Sequence, residues 1–382
     1  MQSYGGLRRV RILAIKLKQI GDVLLSEPAL RAIKAHFPNA HLTVIINSYT
    51  APMLKNASYI DELLGYDRRL KKLTPLKKIK GELKFCKRFL LKDYDIAINF
   101  STGDRGAIYS LLSGARYKIG FFTREGFLGK NLIYDKLLKE PDTHAVMHDL
   151  YLVYKGIDIL PNDFRVKLYL KEKTIDHAKE RLRKLGINQG DLVVYLHPIT
   201  HWSFKSWRDD YMATVINWFL KNGIKIIIGG NGAREKRRVE NILSFVNKTG
   251  VINLVGKLNL EELCGTIYHC HLFFGIDTAP MHIAAALNKP VIALFGPSLT
   301  HRWGPWENNL SYPVKSFQSP YKRKGVQSLG KHIIIQKEWP CVPCDKKGCN
   351  NKGFSECLGE IKPKEVINIL QEKISQLSPV FP

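Results

Sequence analysis

Residues 10–47 read VRILAIKLKQIGDVLLSEPALRAIKAHFPNAHLTVIIN. The apolar run over 10–17, broken by Arg11 and Lys16, predicts a short strand rather than the core of a signal peptide. Gly21-Asp22 reads as a tight turn. Leu24, Ala29, Leu30 and Ile33 then share one face, which predicts a helix over 23–36 that ends at Phe37-Pro38-Asn39. Residues 42–47 are the next strand. Strand, helix and strand in that order make a right-handed parallel crossover unit.

Outward from this unit the pattern repeats. Further short apolar runs at 96–100, 193–197, 224–229, 272–277 and 291–295 resemble strands covered by helices on both faces. The fold class is therefore α/β with parallel sheets. At 382 residues the length suits two domains. The polar helix expected over 174–185, with the stretch 167–173 before it, marks the boundary, giving domains 1–172 and 173–382. A final helix over 364–377 is expected to pack back on the first domain. In open α/β sheets ligands bind at the carboxyl ends of the strands, so the site is expected in a cleft between the domains.

Composition narrows the partners. Lys plus Arg number 59 against 34 Asp plus Glu, a net charge of +25, which attracts anions. Residues 68–92 hold a dense basic block in which Leu70, Leu73, Leu76, Ile79, Leu83, Cys86 and Phe89 recur at helical spacing. One reading is an ordinary solvated surface helix; the other is a patch facing an anionic membrane. A nucleic-acid-binding protein would share the charge, but no helix-turn-helix, zinc-finger or RNP pattern is evident, and no specific nucleic-acid partner is expected. No apolar run approaches the roughly 20 residues that span a bilayer. Seven cysteines without a chain-wide disulfide framework point to the reducing cytoplasm. Cys341-x2-Cys344-x4-Cys349-x7-Cys357 begins with metal-ligand spacing but lacks a second Cys-x2-Cys. It leaves a structural zinc, an iron–sulfur cluster, disulfides and free thiols all open.

Three strand-to-helix junctions carry candidate chemistry. Lys16-Leu-Lys18-Gln-Ile-Gly21-Asp22 delivers a carboxylate at a strand end. Such an Asp is most often only a helix cap, yet placed there it could also accept a proton from a hydroxyl. The loop Thr200-His-Trp202-Ser203-Phe-Lys205-Ser-Trp207 combines hydroxyls with a lysine able to meet phosphate; it reads equally as a loop anchored by two tryptophans. Asp277-Thr278-Ala279-Pro280-Met281-His282 opens a helix whose first amides suit a diphosphate. A weaker Gly229-Gly230-Asn231-Gly232 turn precedes Glu235. It is neither a dinucleotide fingerprint nor a P-loop.

Taken together and in this order, these motifs resemble the ADP-heptose:lipopolysaccharide heptosyltransferases, glycosyltransferase family 9. Lys16-Leu-Lys18, Trp202-Ser-Phe-Lys205-Ser-Trp207, the Asp277 motif, Phe295-Gly-Pro-Ser298 and Trp303-Gly-Pro-Trp306 are most similar to its heptosyltransferase III branch. The resemblance implies a GT-B fold of two Rossmann-like domains and inverting transfer without a catalytic metal or other cofactor. ADP-heptose is the implied donor and a lipid-linked, phosphorylated lipopolysaccharide core the acceptor. The enzyme would be cytoplasmic, peripheral on the anionic inner membrane. A related transferase using another nucleotide sugar or glycolipid shares the same motifs. By position, Asp22 would be the general base, and Lys16 and Lys18 the basic residues on the acceptor side. Lys205 would neutralise the leaving phosphates, helped by Thr200 and Ser203. Thr278 and the amides of Ala279 and Met281 would hold the diphosphate, Asp277 the heptose and Glu235 the ribose, with His282 in the same donor set. Arg208 replaces the usual proline after Lys205-x-Trp207.

Overall fold

The computed structural model describes residues 9–377 apart from 91, 201, 248 and 314. Its chain divides into two units. The first holds residues up to 169 together with 312–318; the second holds 170–311 and 319 onward.

The first unit begins with β1 (Arg11–Lys16), α1 (Ile20–Leu25), α2 (Glu27–His36) and β2 (His41–Asn47). The single helix expected over 23–36 is thus two. Pro28 has no N–H to give the Leu24 carbonyl, and the Ser26 hydroxyl turns back to the Val23 carbonyl at 2.7 Å, so a continuous helix breaks there. Asp22 lies inside α1, in its first turn, rather than in a turn ahead of it. There follow β3 (Glu62–Tyr66), α3 (Pro75–Cys86), β4 (Ile96–Asn99), α4 (Asp104–Leu112), β5 (Tyr117–Phe121), β6 (Lys136–Leu138) and α5 (Ala145–Ile157). The strands form one parallel sheet in the order β3-β2-β1-β4-β5-β6. β1 is buried on both faces. Leu13 and Ile15 pack with Phe85, Phe89 and Tyr109, each such aliphatic side chain contributing about 1.5–3 kcal/mol.

The second unit opens with α6 (Glu172–Lys184) and continues through β7 (Val193–His197), α7 (Asp209–Lys221), β8 (Lys225–Ile228), α8 (Ala233–Leu243), β9 (Val251–Asn253), α9 (Leu260–Tyr268), β10 (Leu272–Ile276), α10 (Ala279–Ala286) and β11 (Val291–Leu294). The short α11 (Thr300–Trp303) precedes an antiparallel hairpin of β12 (Gln327–Leu329) and β13 (His332–Ile335); α12 (Glu356–Gly359) and α13 (Pro363–Leu377) close the described chain. The sheet order is β12-β13-β11-β10-β7-β8-β9, parallel except for the hairpin. β10 can lie this close to β7 only because residue 275 is glycine: a Cβ there would run into the His197 carbonyl.

α13 buries Val366 and Leu370 in the core of the second unit, with Ile216 and Phe219 of α7 in the same cluster.

Candidate functional site

Both sheets reverse their strand order once, at β1/β4 in the first unit and at β7/β10 in the second. At such a point neighbouring connections depart to opposite faces and leave a crevice beyond the carboxyl ends of the strands. The three strand-to-helix motifs fall at these two points, whereas the Gly229–Gly232 turn follows β8.

In the first unit, Lys16 ends β1 and Leu17 donates its N–H to the Ser101 hydroxyl beyond β4 at 2.8 Å. Lys16 does not face an acceptor. It is buried, with Nζ 2.5 Å from the carboxylate of Asp149 on α5, and His148 Nδ1 lies 2.9 Å from the other oxygen. Burial alone would push the Asp149 carboxyl up; the Lys16 ammonium, with the His148 ring, outweighs it and holds the group below the usual carboxylate range. Lys16 is thus engaged inside the first unit. Lys18 is half-buried and reaches a different place: a cavity of about 860 Å³ formed by the segment before α3, by α3 itself and by α4. Asp22 is half-buried and has no ion pair or side-chain hydrogen bond among the described residues. Its lone pairs are available to a proton, as a general base requires.

The charge of that cavity is one-sided. Lys18, Arg68, Lys71, Lys78 and Arg105 line it against two carboxylates. One of these, Glu82, already accepts from Tyr66, Tyr109 and Arg105 at 2.8–2.9 Å. Asp104 is paired with Lys130 at 3.2 Å. Partial burial, with crowding by Arg105 and Arg68, pushes the Lys71 ammonium below its ordinary value. Leu17, Leu83, Ile108 and Leu112 supply apolar wall. Cations gathered around an apolar wall, with their carboxylates already engaged, suit an anionic ligand that also has a non-polar face. The sequence reading missed this cavity, although Asn99-Phe-Ser101-Thr-Gly103-Asp104-Arg105-Gly106 has the strand-turn-helix form that drew attention elsewhere.

In the second unit the structure brings Lys205 and Asp277 together. Nζ lies 2.7 Å from Oδ2, so the pair bridges the loop after β7 to the end of β10 across the switch point. Asp277 is buried, which raises its carboxyl; Lys205 foremost, then His282 and Ser298, bring it net below the ordinary value. Thr278 caps α10 without a side-chain cap bond, its hydroxyl donating to the Ile276 carbonyl at 3.1 Å. Ala279 is the first residue of the helix and keeps an amide with no helical acceptor. Pro280 has no amide proton, and the Met281 amide is used at 3.1 Å by the Thr278 carbonyl. Of the two expected amide donors only Ala279 is open, while the Met281 side chain is core. Thr200 is buried and receives the Trp202 amide at 3.2 Å. Ser203 lines a second cavity, of about 570 Å³, with Arg208 and Arg238, rather than meeting the Lys205–Asp277 pair. Glu235 accepts the Asn231 amide at 2.7 Å and so braces its own glycine turn. Of the two tryptophans, Trp207 is a buried anchor, donating to the Ile361 carbonyl at 3.0 Å; Trp202 is half exposed.

All seven cysteines are free thiols, and among the described residues no three or more His, Cys, Asp or Glu side chains are gathered to hold an ion. Cys341 is exposed, whereas Cys357 is buried and its thiol is pushed up by burial to about 11. Among the described residues no helix is long and apolar enough to cross a membrane.

Two open α/β units with these switch points define the GT-B class of glycosyltransferase folds. The chain belongs to glycosyltransferase family 9 (heptosyltransferase), whose family model matches residues 83–333. It is 28% identical to lipopolysaccharide heptosyltransferase 3 of Escherichia coli K12, over 82% of this chain and 91% of that protein. It is 24% identical to lipooligosaccharide heptosyltransferase 2 of Campylobacter jejuni, over 94% and 96%. The solved structure of E. coli ADP-heptose lps heptosyltransferase II superposes with a TM-score of 0.72, covering 96% of this chain and 99% of that one at 19% identity.

Proposed function

We propose that this enzyme transfers heptose from ADP-heptose to a heptose of the lipopolysaccharide inner core, with inversion, in the manner of the heptosyltransferase 3 relatives. The observation that carries the proposal is the Lys205–Asp277 pair at the switch point of the second sheet. It sets a cation for a diphosphate beside a carboxylate for a sugar hydroxyl, at the mouth of a helix with an open Ala279 amide. Asp22 takes the proton of the acceptor hydroxyl; the freed oxygen pair bonds to the anomeric carbon. The bond from that carbon to the diphosphate breaks, its electrons leaving with ADP, and Lys205 and Thr278 meet the charge that grows there. Inversion requires Asp22 and the leaving diphosphate on opposite sides of the anomeric carbon. Glu235 takes the ribose hydroxyls. The cationic cavity holding Lys18 takes phosphate on the lipid-linked core acceptor. With such an acceptor the enzyme works at the cytoplasmic face of the inner membrane.

The test is incubation of the purified chain with ADP-heptose and defined core acceptors, beside Asp22→Asn. Product with the wild type and a loss of about 10²- to 10⁴-fold in the variant are expected. Transfer from another nucleotide sugar in place of ADP-heptose would reassign the donor; full activity in Asp22→Asn would remove the base.

A further inference from the structure

Among the described residues twenty large hydrophobic side chains are exposed, and eleven of them lie between Leu73 and Leu132, all in the first unit. They are not scattered. On α3, Leu76, Ile79 and Leu83 follow the i, i+3, i+7 spacing of one stripe. The stripe faces away from the core, because Phe85 and Cys86 turn inward and Gly81 abuts Leu70. The pattern that reads as one face in the sequence is therefore two, one buried and one open. On α4, Ile108, Leu111 and Leu112 are exposed, and Ile108 and Leu112 share the cavity wall with Leu83. The loop after β5 adds Leu128, 102% exposed, and Leu132, 89% exposed. Lys130 ties that loop to the start of α4 through the Thr102 carbonyl at 2.7 Å and Asp104 at 3.2 Å. α3 and α4 thus share an apolar surface at the cavity wall, and the loop is tied to α4 beside it.

We infer that the first unit docks on an anionic bilayer through this surface, with Leu76, Ile79, Leu128 and Leu132 entering the lipid. The inference deepens the membrane-side reading above by naming the face, and it does not depend on which sugar is moved. Charge selects the occupant. Lys77, Lys80, Lys84 and Lys87 are exposed along α3 and its exit, while the acid of that helix, Glu82, is turned inward to Tyr66, Tyr109 and Arg105. A basic collar around protruding leucines matches anionic headgroups over acyl chains. A second copy of the chain would set the same lysines against one another across a two-fold axis, which opposes self-association. The cationic cavity shares Leu83, Ile108 and Leu112 with this surface, so a docked unit opens its anion site toward the headgroups.

The experiment is co-sedimentation of the full chain with phosphatidylcholine vesicles, with and without about 30% phosphatidylglycerol. It compares the wild type, Leu76→Ser/Ile79→Ser and Leu128→Ser/Leu132→Ser. These positions are exposed and outside the cavity lining, so folding and transfer to a short water-soluble acceptor stay at the wild-type level. Partition onto the anionic vesicles falls at least about tenfold in each pair, and the wild type loses binding on vesicles without phosphatidylglycerol. Wild-type partition in both variants overturns the inference, as does a wild-type dimer in solution that the same substitutions convert to monomer. Transfer without vesicle binding would sink the docking surface and leave the proposed reaction standing; vesicle binding without transfer would do the reverse.

Discussion

Replacing Lys16 by methionine removes one charge from a place that has no water to replace it. Asp149 is 0% exposed and Lys16 5%. The variant leaves the carboxylate with His148 as its remaining side-chain partner among the described residues. Breaking a buried pair from one side costs about 3–5 kcal/mol. With a urea m-value of about 2 kcal/mol/M for a unit of this size, the midpoint of the first unit should fall by about 1.5–2.5 M. The pH dependence is diagnostic. In the wild type the Asp149 carboxyl lies below its ordinary value, so its contribution is present above the unfolded pKa of about 4 and lost as pH falls through the folded value. Without Lys16, burial dominates and the carboxyl moves up, so the variant gains a proton on folding and its deficit shrinks from about pH 7.5 to about pH 5. The assay is urea unfolding followed by far-ultraviolet circular dichroism. All six tryptophans lie between Trp202 and Trp339, in the second unit, so tryptophan fluorescence serves as the internal control. Lys16→Met/Asp149→Leu should recover most of the loss. A deficit under about 1 kcal/mol, or one equal at both pH values, would refute the reasoning.

Lys205→Ala should lower kcat by about 10²-fold or more, because a fixed cation is lost where negative charge develops; steady-state kinetics on the core acceptor check this, and an unchanged kcat would remove Lys205 from the leaving-group role. Gly275→Ala should cost about 1–3 kcal/mol, since its Cβ meets the His197 carbonyl; the fluorescence-detected midpoint of the second unit reads it, and an unshifted midpoint contradicts the close strand approach. Burial lowers both His197 and His332 to about 4. Because their folded values lie below the unfolded value of about 6.5, the stability they contribute is full above that pH and lost as pH falls toward about 4. The loss should reach on the order of 2 kcal/mol per ring by about pH 5, visible as a falling melting temperature of the second unit in His197 wild type and weaker in His197→Gln.

What the sequence disclosed was decided by continuity and distance. β1, β2, β7, β10 and β11 are buried runs flanked by clear breaks, and each was legible. β3, β5, β6, β9, β12 and β13 were not. Apart from β13 and the buried end of β5 they are half-exposed strands of three to five residues with mixed polarity, and local periodicity is too short to mark them. The Asp277 motif stood out because strand, cap and helix lie within one short stretch. By contrast, Lys16 looked like an acceptor-side cation because its partner sits 133 positions away. The cationic cavity was invisible for the same reason, since Arg68, Lys71 and Arg105 converge only after β4 and α4 are in place.

The resting contact between Lys205 and Asp277 has a consequence for turnover. A diphosphate that recruits the ammonium must share it with, or draw it from, a buried carboxylate, and that carboxylate is then short of a donor unless a sugar hydroxyl supplies one. A complete nucleotide sugar satisfies both partners at once, whereas the bare nucleotide left after transfer satisfies only the lysine. On the proposed reading the spent nucleotide should be held less firmly than the donor, so that the site clears itself for the next cycle.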